Sequence, residues 1–287
     1  MSSQHLFPVY SQYMLNGLAL NPAYAGSRDV FNITLGYRNQ WVGFDGAPVS
    51  QTLSAHTPLN NENVALGLFL NNEQIDVRNN TSMYFNYAYR FPLGSGRMAM
   101  GLKGGGMIRN ISWSKITLHD PGDDVFIAPT QKDILPNFGF GLYYSTNRYF
   151  IGASIPLLLS DSTRNDKTVQ YHNMNNYNYL VSGGVVMGRG GFKIKPSFLL
   201  KYNERNPLQV DANLSFILGD LIWLGGSYRM EDALVGLIKL QINDRLRLGY
   251  TYDYALGNIS SFHNGSHEIV LIYDFRFRIS AVNPRYF

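Results

Sequence analysis

The chain reads as an all-β protein, a transmembrane antiparallel β-barrel of about 14 strands behind an N-terminal non-strand segment, and three observations carry that reading. The first is two-residue alternation near its end. Leu246, Leu248, Tyr250, Tyr252 and Tyr254 alternate with Arg245, Arg247, Gly249, Thr251 and Asp253, and after a loop Ile269, Leu271, Tyr273, Phe275 and Phe277 alternate with Glu268, Val270, Ile272, Asp274, Arg276 and Arg278. Alternation sends each set to its own face of a sheet. In an outer-membrane barrel the apolar face meets lipid and the charged face lines the lumen.

The second observation is composition. Charged residues are 15% of the 287, against roughly 25% in soluble domains, while 20 tyrosines and 17 phenylalanines suit a wall with aromatic belts. Apolar residues make up 45%, yet no stretch approaches the roughly 18 consecutive apolar residues of a membrane helix. The third is the connections. Every second one is a tight turn of hairpin-type residues: Leu93-Gly94-Ser95-Gly96, Thr146-Asn147, Gly188-Arg189-Gly190, Gly219-Asp220 and Asn243-Asp244, with 57–62 slightly longer. The other set holds the long polar segments 112–135 and 157–175, although 203–207 and 230–232 are short. Short turns belong at the periplasmic end of such barrels and longer loops at the outer end. An even strand count then leaves both termini periplasmic, and Phe287 suits an outer-membrane assembly signal.

Taken in order, residues 1–28 form an arm or plug-like segment, and 29–287 the barrel. The arm is apolar and punctuated by Asn and Gly, and Pro22 disfavours helix at Asn21. It could be a plug, a packing layer or a partner-binding arm. Strands are expected near 29–40, 49–57, 63–72, 79–91, 97–111, 136–145, 148–156, 176–187, 191–202, 208–217, 221–229, 233–242, 245–255 and 267–278. In the tenth, Leu208, Val210, Ala212, Leu214 and Phe216 oppose Gln209, Asp211, Asn213 and Ser215. Pro196 removes a ladder donor from the ninth. Inward charges are expected at Arg90, Lys193, Lys195, Lys201, Asp211, Arg245, Arg247, Asp253, Glu268, Asp274, Arg276 and Arg278. They could attract an anionic ligand, but charges shielded from water need partners, and a mutual ion-pair network is the expected arrangement.

No catalytic constellation stands out in the sequence. His119-Asp120-Pro121-Gly122-Asp123-Asp124 lacks the ligand spacing of a calcium loop. His263 and His267 have no further metal ligands nearby. Ser54 and His56 share a face, as an outer-membrane phospholipase would require of two members of its triad, but no third partner follows. Gly104-Gly105-Gly106 lies inside a strand, where it permits bending or close packing. With no cysteine there is no disulfide framework or thiol chemistry. The net charge of +4 is spread singly along strands, so no nucleic-acid patch is expected. Neither a cofactor nor a metal is called for. Met1-Ser2-Ser3-Gln4 opens without a secretory signal, so the barrel reading expects one removed before this numbering begins.

Three segments carry a family resemblance: Ser11-Gln12-Tyr13-Met14-Leu15-Asn16, then Leu20-Asn21-Pro22-Ala23-Tyr24-Ala25-Gly26-Ser27, then Tyr37-Arg38-Asn39-Gln40-Trp41-Val42-Gly43-Phe44-Asp45-Gly46-Ala47-Pro48. Further patches are Asn86-Tyr87-Ala88-Tyr89-Arg90, Lys195-Pro196-Ser197-Phe198, Trp223-Leu224-Gly225-Gly226-Ser227-Tyr228-Arg229 and Asn283-Pro284-Arg285-Tyr286-Phe287. Together they resemble the PorP/SprF family from about Tyr10 to the end. The resemblance implies an outer-membrane barrel of Bacteroidota tied to the type IX secretion system and, in some species, to gliding motility. It implies as partners a large secreted, adhesin-like protein with a type B C-terminal signal domain, PorE, the PorK/PorN ring, the translocon and outer-membrane lipid.

The resulting expectation is a monomeric, non-enzymatic barrel that anchors, or helps export and retain, such a client. Tyr13, Asn21, Pro22 and Tyr24 of the arm, with Trp41 and Phe44 of the 41–48 loop, are the candidate partner-binding residues. Trp41 could equally belong to the aromatic girdle. The rivals are a passive porin with an open lumen, a lipid-modifying enzyme and a soluble β protein.

Overall fold

The computed structural model describes residues 13, 15–59, 62–112, 131–164, 167–256, 260 and 262–275. Arg276, Arg278, the turn at 119–124 and the tail to Phe287 lie outside the described residues. The strands are β1 (Phe31–Asn39), β2 (Val49–Pro58), β3 (Val64–Ile75), β4 (Arg78–Leu93), β5 (Gly96–Ile111), β6 (Gln131–Ser145), β7 (Tyr149–Ile155), β8 (Ser160–Arg164), β9 (Lys167–Tyr171), β10 (Tyr179–Val185), β11 (Met187–Arg189), β12 (Phe192–Asn203), β13 (Asn206–Leu218), β14 (Ile222–Arg229), β15 (Ala233–Gln241), β16 (Leu246–Ala255) and β17 (Ser266–Phe275).

Fourteen strand positions close into a ring. β1 pairs with β17 from Phe31↔Phe275 to Asn39↔His267, and β10 bridges β7 and β12. β10 and β11 are one wall strand interrupted at Val186, whereas β8 and β9 pair only with each other. All neighbours are antiparallel and the ring has no terminal strand, although β6 runs beyond its pairing with β7 at 131–139. The expected count of about fourteen is met.

The wall is inverted relative to a soluble protein. Outward Phe85 is 59% exposed, Leu102 58% and Ile134 71%, while inward Thr251, Asn32 and Asp211 are at most 1% exposed. Only a lipid solvent makes that distribution favourable. At the short-turn end the outward face carries aromatic pairs: Phe31 on Phe275 at 5.2 Å, Tyr144 on Tyr149 at 5.9 Å and Phe192 on Phe216 at 6.2 Å. Tyr177, Tyr179 and Tyr202 gather at the other end. The tyrosines among them carry a polar tip suited to interfacial depth.

Two expectations are corrected. β3 and β4 run on to Ile75 and from Arg78, joined at Asp76 and Val77, where a gap at 73–78 was expected. The paired stretch is polar on both faces (Asn71, Asn72, Glu73 and Gln74 against Ser82, Thr81, Asn80 and Asn79), so backbone pairing persists where hydrophobic alternation has stopped. At 16 residues β4 and β5 exceed the roughly 9–11 needed to cross a bilayer, and this part of the wall stands above the lipid. The 157–175 segment, read as a polar loop, contains the β8–β9 hairpin.

Candidate functional site

Residues 15–28 occupy the lumen. Two short 3-10 turns, Gly17–Ala19 and Pro22–Tyr24, fold the segment compactly. Asn21 starts the second: its Oδ1 accepts the Ala23 N–H at 2.9 Å, and Pro22 at the first helical position gives up no needed donor. The Asn21 amide donates to the carbonyls of Leu142 (2.8 Å) and Ala153 (3.3 Å), tying the turn to β6 and β7. Ser154 Oγ donates to the Leu20 carbonyl at 2.8 Å, Ser54 Oγ to Asn16 Oδ1 at 2.9 Å, and the Gly26 N–H to His56 Nδ1 at 3.2 Å.

The wall is shaped to receive it. Leu18, Ala23, Tyr24 and Ala25 pack against Ala65, Ala88, Ala99 and Tyr143 in one buried cluster. Tyr24 meets His56 and Tyr143 edge-on at 5.6 and 5.5 Å. At Gly101 a Cβ would fall on the Pro22 and Ala23 backbone, and at Gly141 on Asn21 Oδ1. Across the lumen Leu15 packs on Val270 and Ile272, and Tyr13 on Leu180 and Leu199, with its hydroxyl accepting from the Asn213 amide. Tyr13, Asn21, Pro22 and Tyr24, considered from sequence as partner-binding, are buried in the barrel's own interior.

Two groups of ion pairs lie on either side of this segment. Toward the longer loops, Arg38 donates to Asp253 at 2.8 Å and Glu268 at 3.2 Å; Arg229 reaches Asp232 (3.1 Å), Asp211 (3.5 Å) and Asp253 (3.7 Å), with Lys201 3.8 Å from Asp211. Toward the short turns, Asp274 accepts from Arg247 and from Asn32 Nδ2 (2.7 Å), with Arg28 at 3.9 Å. Arg90 pairs with Asp29, the residue at which the segment leaves the lumen. Lys195 lies 5.5 Å from the ring centroids of both Phe150 and Trp223, and Lys239 sits over Trp223. Lys193 instead bonds Asp220 at the β13–β14 turn, and Arg245 is exposed at the turn before β16, so neither is enclosed in the lumen. Arg28, Arg38, Lys103, Arg229 and Lys239 were missed from sequence. Arg38 and Arg229 could have been found from register, since they lie directly opposite Glu268 and Asp211.

At the longer-loop end the 40–48 loop is docked on the loop before β17. Val42 N–H donates to the Gly265 carbonyl (2.8 Å), Asn264 N–H to the Val42 carbonyl (2.7 Å), and Trp41 N–H to Ser266 Oγ (3.1 Å). Trp41 lies 6.1 Å from His263 and 6.5 Å from Phe44, ring to ring. Phe44 is 45% and Phe262 69% exposed. Beside Trp41 opens a funnel of about 370 Å³, with Arg38, Arg229 and Asp253 as its buried lining and Asp232, half exposed, at its rim. Among the described residues no group of three metal-ligating side chains occurs.

Among solved structures, the outer membrane protein Omp33 of Acinetobacter baumannii superposes with a TM-score of 0.52 at 8% identity, over 86% of this chain and 98% of that one. A TodX deltaS2S3 mutant monoaromatic hydrocarbon channel gives 0.51 at 9% identity, over 93% and 95%. At such identity the likeness concerns the barrel fold. No curated protein matches the chain. The family model described as type IX secretion system membrane protein PorP/SprF matches residues 2–273.

Proposed function

The chain belongs to the PorP/SprF family of type IX secretion system membrane proteins, and from that premise we propose that it is a closed, non-enzymatic outer-membrane anchor for a large secreted, adhesin-like client. The observation that carries this reading is the lumen filled by residues 15–28, bonded to β2, β6 and β7. A passive porin needs an open path, and here that path is occupied by the chain's own backbone. An anchor needs only a stable wall and an outward face.

In this reading the short turns face the periplasm, where PorE and the PorK/PorN ring would be met, and the longer loops face outward. The client's type B C-terminal domain docks at the outer end, on Trp41, Phe44 and Phe262 and in the charged funnel beside Trp41. Large exposed aromatics on a docked loop form an adhesive surface, and the lining of Arg and Asp residues supplies orientation. A link to gliding motility would follow if the retained client were an adhesin moved along the surface.

Gentle detergent extraction from the native outer membrane, with mass spectrometry of what accompanies the barrel, tests the reading directly. Recovery of a large protein held through its C-terminal domain supports it. Recovery of the barrel alone, with steady conductance in a planar bilayer, replaces it with the porin. Trp41→Ala with Phe44→Ala should lower client retention at least about tenfold, as loss of two aromatic hot spots does, while the barrel still inserts. Unchanged retention would remove this loop from the docking surface.

A further inference from the structure

A second enclosed space lies on the opposite side of the barrel from the Trp41 funnel, above the lumen segment and against the tall β3–β6 wall. It is a cavity of about 120 Å³ lined by Lys103, Asn71, Asn80, Glu73, Asn137 and Gln170, with Phe69, Leu135, Leu157 and Leu159 as its apolar part. The volume corresponds to about four water molecules at ~30 Å³ each.

Its roof is the chain after β7, folded back inward and held deliberately. Asn137 Nδ2 donates to the Leu159 carbonyl at 2.8 Å, and its Oδ1 accepts the Leu158 and Leu159 N–H groups at 2.9 and 3.0 Å. Gln170 donates to the Pro136 carbonyl at 2.8 Å. These bonds make the space a formed pocket.

The polar lining is unfinished. Lys103 is 4% exposed, with its ammonium 4.6 Å from the Tyr84 ring centroid and 5.7 Å from that of Phe69. Among the described residues no carboxylate forms an ion pair with it. Asn71 is 5% exposed, and its Oδ1 has no hydrogen-bond partner; Asn80 Oδ1 is likewise buried without one. A buried ammonium without a counter-ion and two buried amide oxygens without donors each cost free energy until something supplies the missing partner.

We propose that this cavity binds a carboxylate that carries an adjacent N–H group and a small apolar substituent, the chemistry shared by a free amino acid and by a peptide C-terminus. The carboxylate pairs with Lys103, the N–H donates to Asn71 or Asn80, and the substituent lies against Leu135, Leu157 and Leu159. The inference is independent of the anchoring role.

The test is calorimetric titration of the full-length barrel in detergent with three probes: L-alanine, N-acetyl-L-alanine and L-alaninamide. Saturable binding of L-alanine or N-acetyl-L-alanine is expected, weakened about tenfold or more by Lys103→Met and by Asn71→Leu, since each removes a buried charged or polar contact. Binding of both acids includes free amino acids among the ligands, and binding of the acetylated probe alone identifies a peptide terminus. Equal binding of L-alaninamide, or no binding by any probe to the folded wild-type barrel, overturns the proposal. Each variant's far-UV spectrum and unfolding midpoint show whether it is folded, and with two variants on separate strands one misfolded protein does not decide the outcome.

Discussion

Gly101→Val should turn a closed barrel into a conducting one. The side chain of residue 101 faces inward from β5, and the atom added first would coincide with the Pro22 and Ala23 backbone. Backbone in a capped turn cannot yield as the end of a side chain can, so the variant must choose between two costs. It can strain the wall, at about 1–3 kcal/mol or more for overpacking, or it can release the segment from its seat. Release forfeits the Asn21 bonds and the burial of Leu18, Ala23 and Tyr24, yet it leaves the fourteen-strand ring intact. A ring of this size leaves more interior than its own side chains fill, so an emptied lumen passes ions. Planar-bilayer recordings should therefore show wild type closed, Gly101→Val open for much of the time, and a variant lacking 15–28 open continuously. Gly141→Val should act more weakly, because there the added atom meets the Asn21 side chain. Gly236→Val is the control, having no atom within 4 Å. Silence from Gly101→Val at wild-type stability would mean that the segment is not what closes the lumen.

The wall was legible because lipid and lumen impose opposite chemistry on alternate residues. Tyr250 and Asp253 could be assigned to opposite faces without any knowledge of what lay inside. The interior was harder to read, because contacts with the lumen segment join residues far apart in sequence and leave only a faint pattern. That pattern was present in Ala65, Gly67, Ala88, Ala99, Gly101, Gly141 and Gly152, the inward positions of five consecutive strands. Small inward residues side by side require a filler from elsewhere, and the arm at 1–28 was a candidate for it. Gly104-Gly105-Gly106 drew attention instead because it is contiguous, although Gly104 and Gly106 face outward and Gly105 is packed on the β4 backbone. The β8–β9 hairpin escaped for a different reason. It is not part of the ring, so the alternation that marks the wall strands is absent from 160–164. Arg28 was overlooked because it lies before the first strand, where alternation says nothing about burial.

Asp274→Asn should be among the most destabilising conservative substitutions in the chain. Asp274 is 6% exposed and accepts from Arg247 and Asn32, with Arg28 at 3.9 Å. An amide of the same shape keeps the packing but removes the negative charge, leaving two buried guanidinium groups beside each other, with Lys239 interacting electrostatically with both. Breaking a buried pair from one side typically costs about 3–5 kcal/mol, because the partner left behind is charged and desolvated. The pair of Lys193 with Asp220 is a contrast within the same protein. It is geometrically good at 2.6 Å, but Asp220 is 46% exposed at a turn, so Asp220→Asn should cost no more than about 1 kcal/mol, and less at high salt. Urea unfolding from lipid vesicles, at low and high salt, would measure both. Replacing Asp274 by Leu together with Arg247 by Met should recover part of the loss, since an apolar pair needs no counter-charge. Recovery should be incomplete, because Arg28 still enters the lumen on the segment that closes it and keeps no carboxylate beside it. Equal, small effects for Asp274→Asn and Asp220→Asn would instead mean that water reaches the Asp274 site and screens it as it screens the turn.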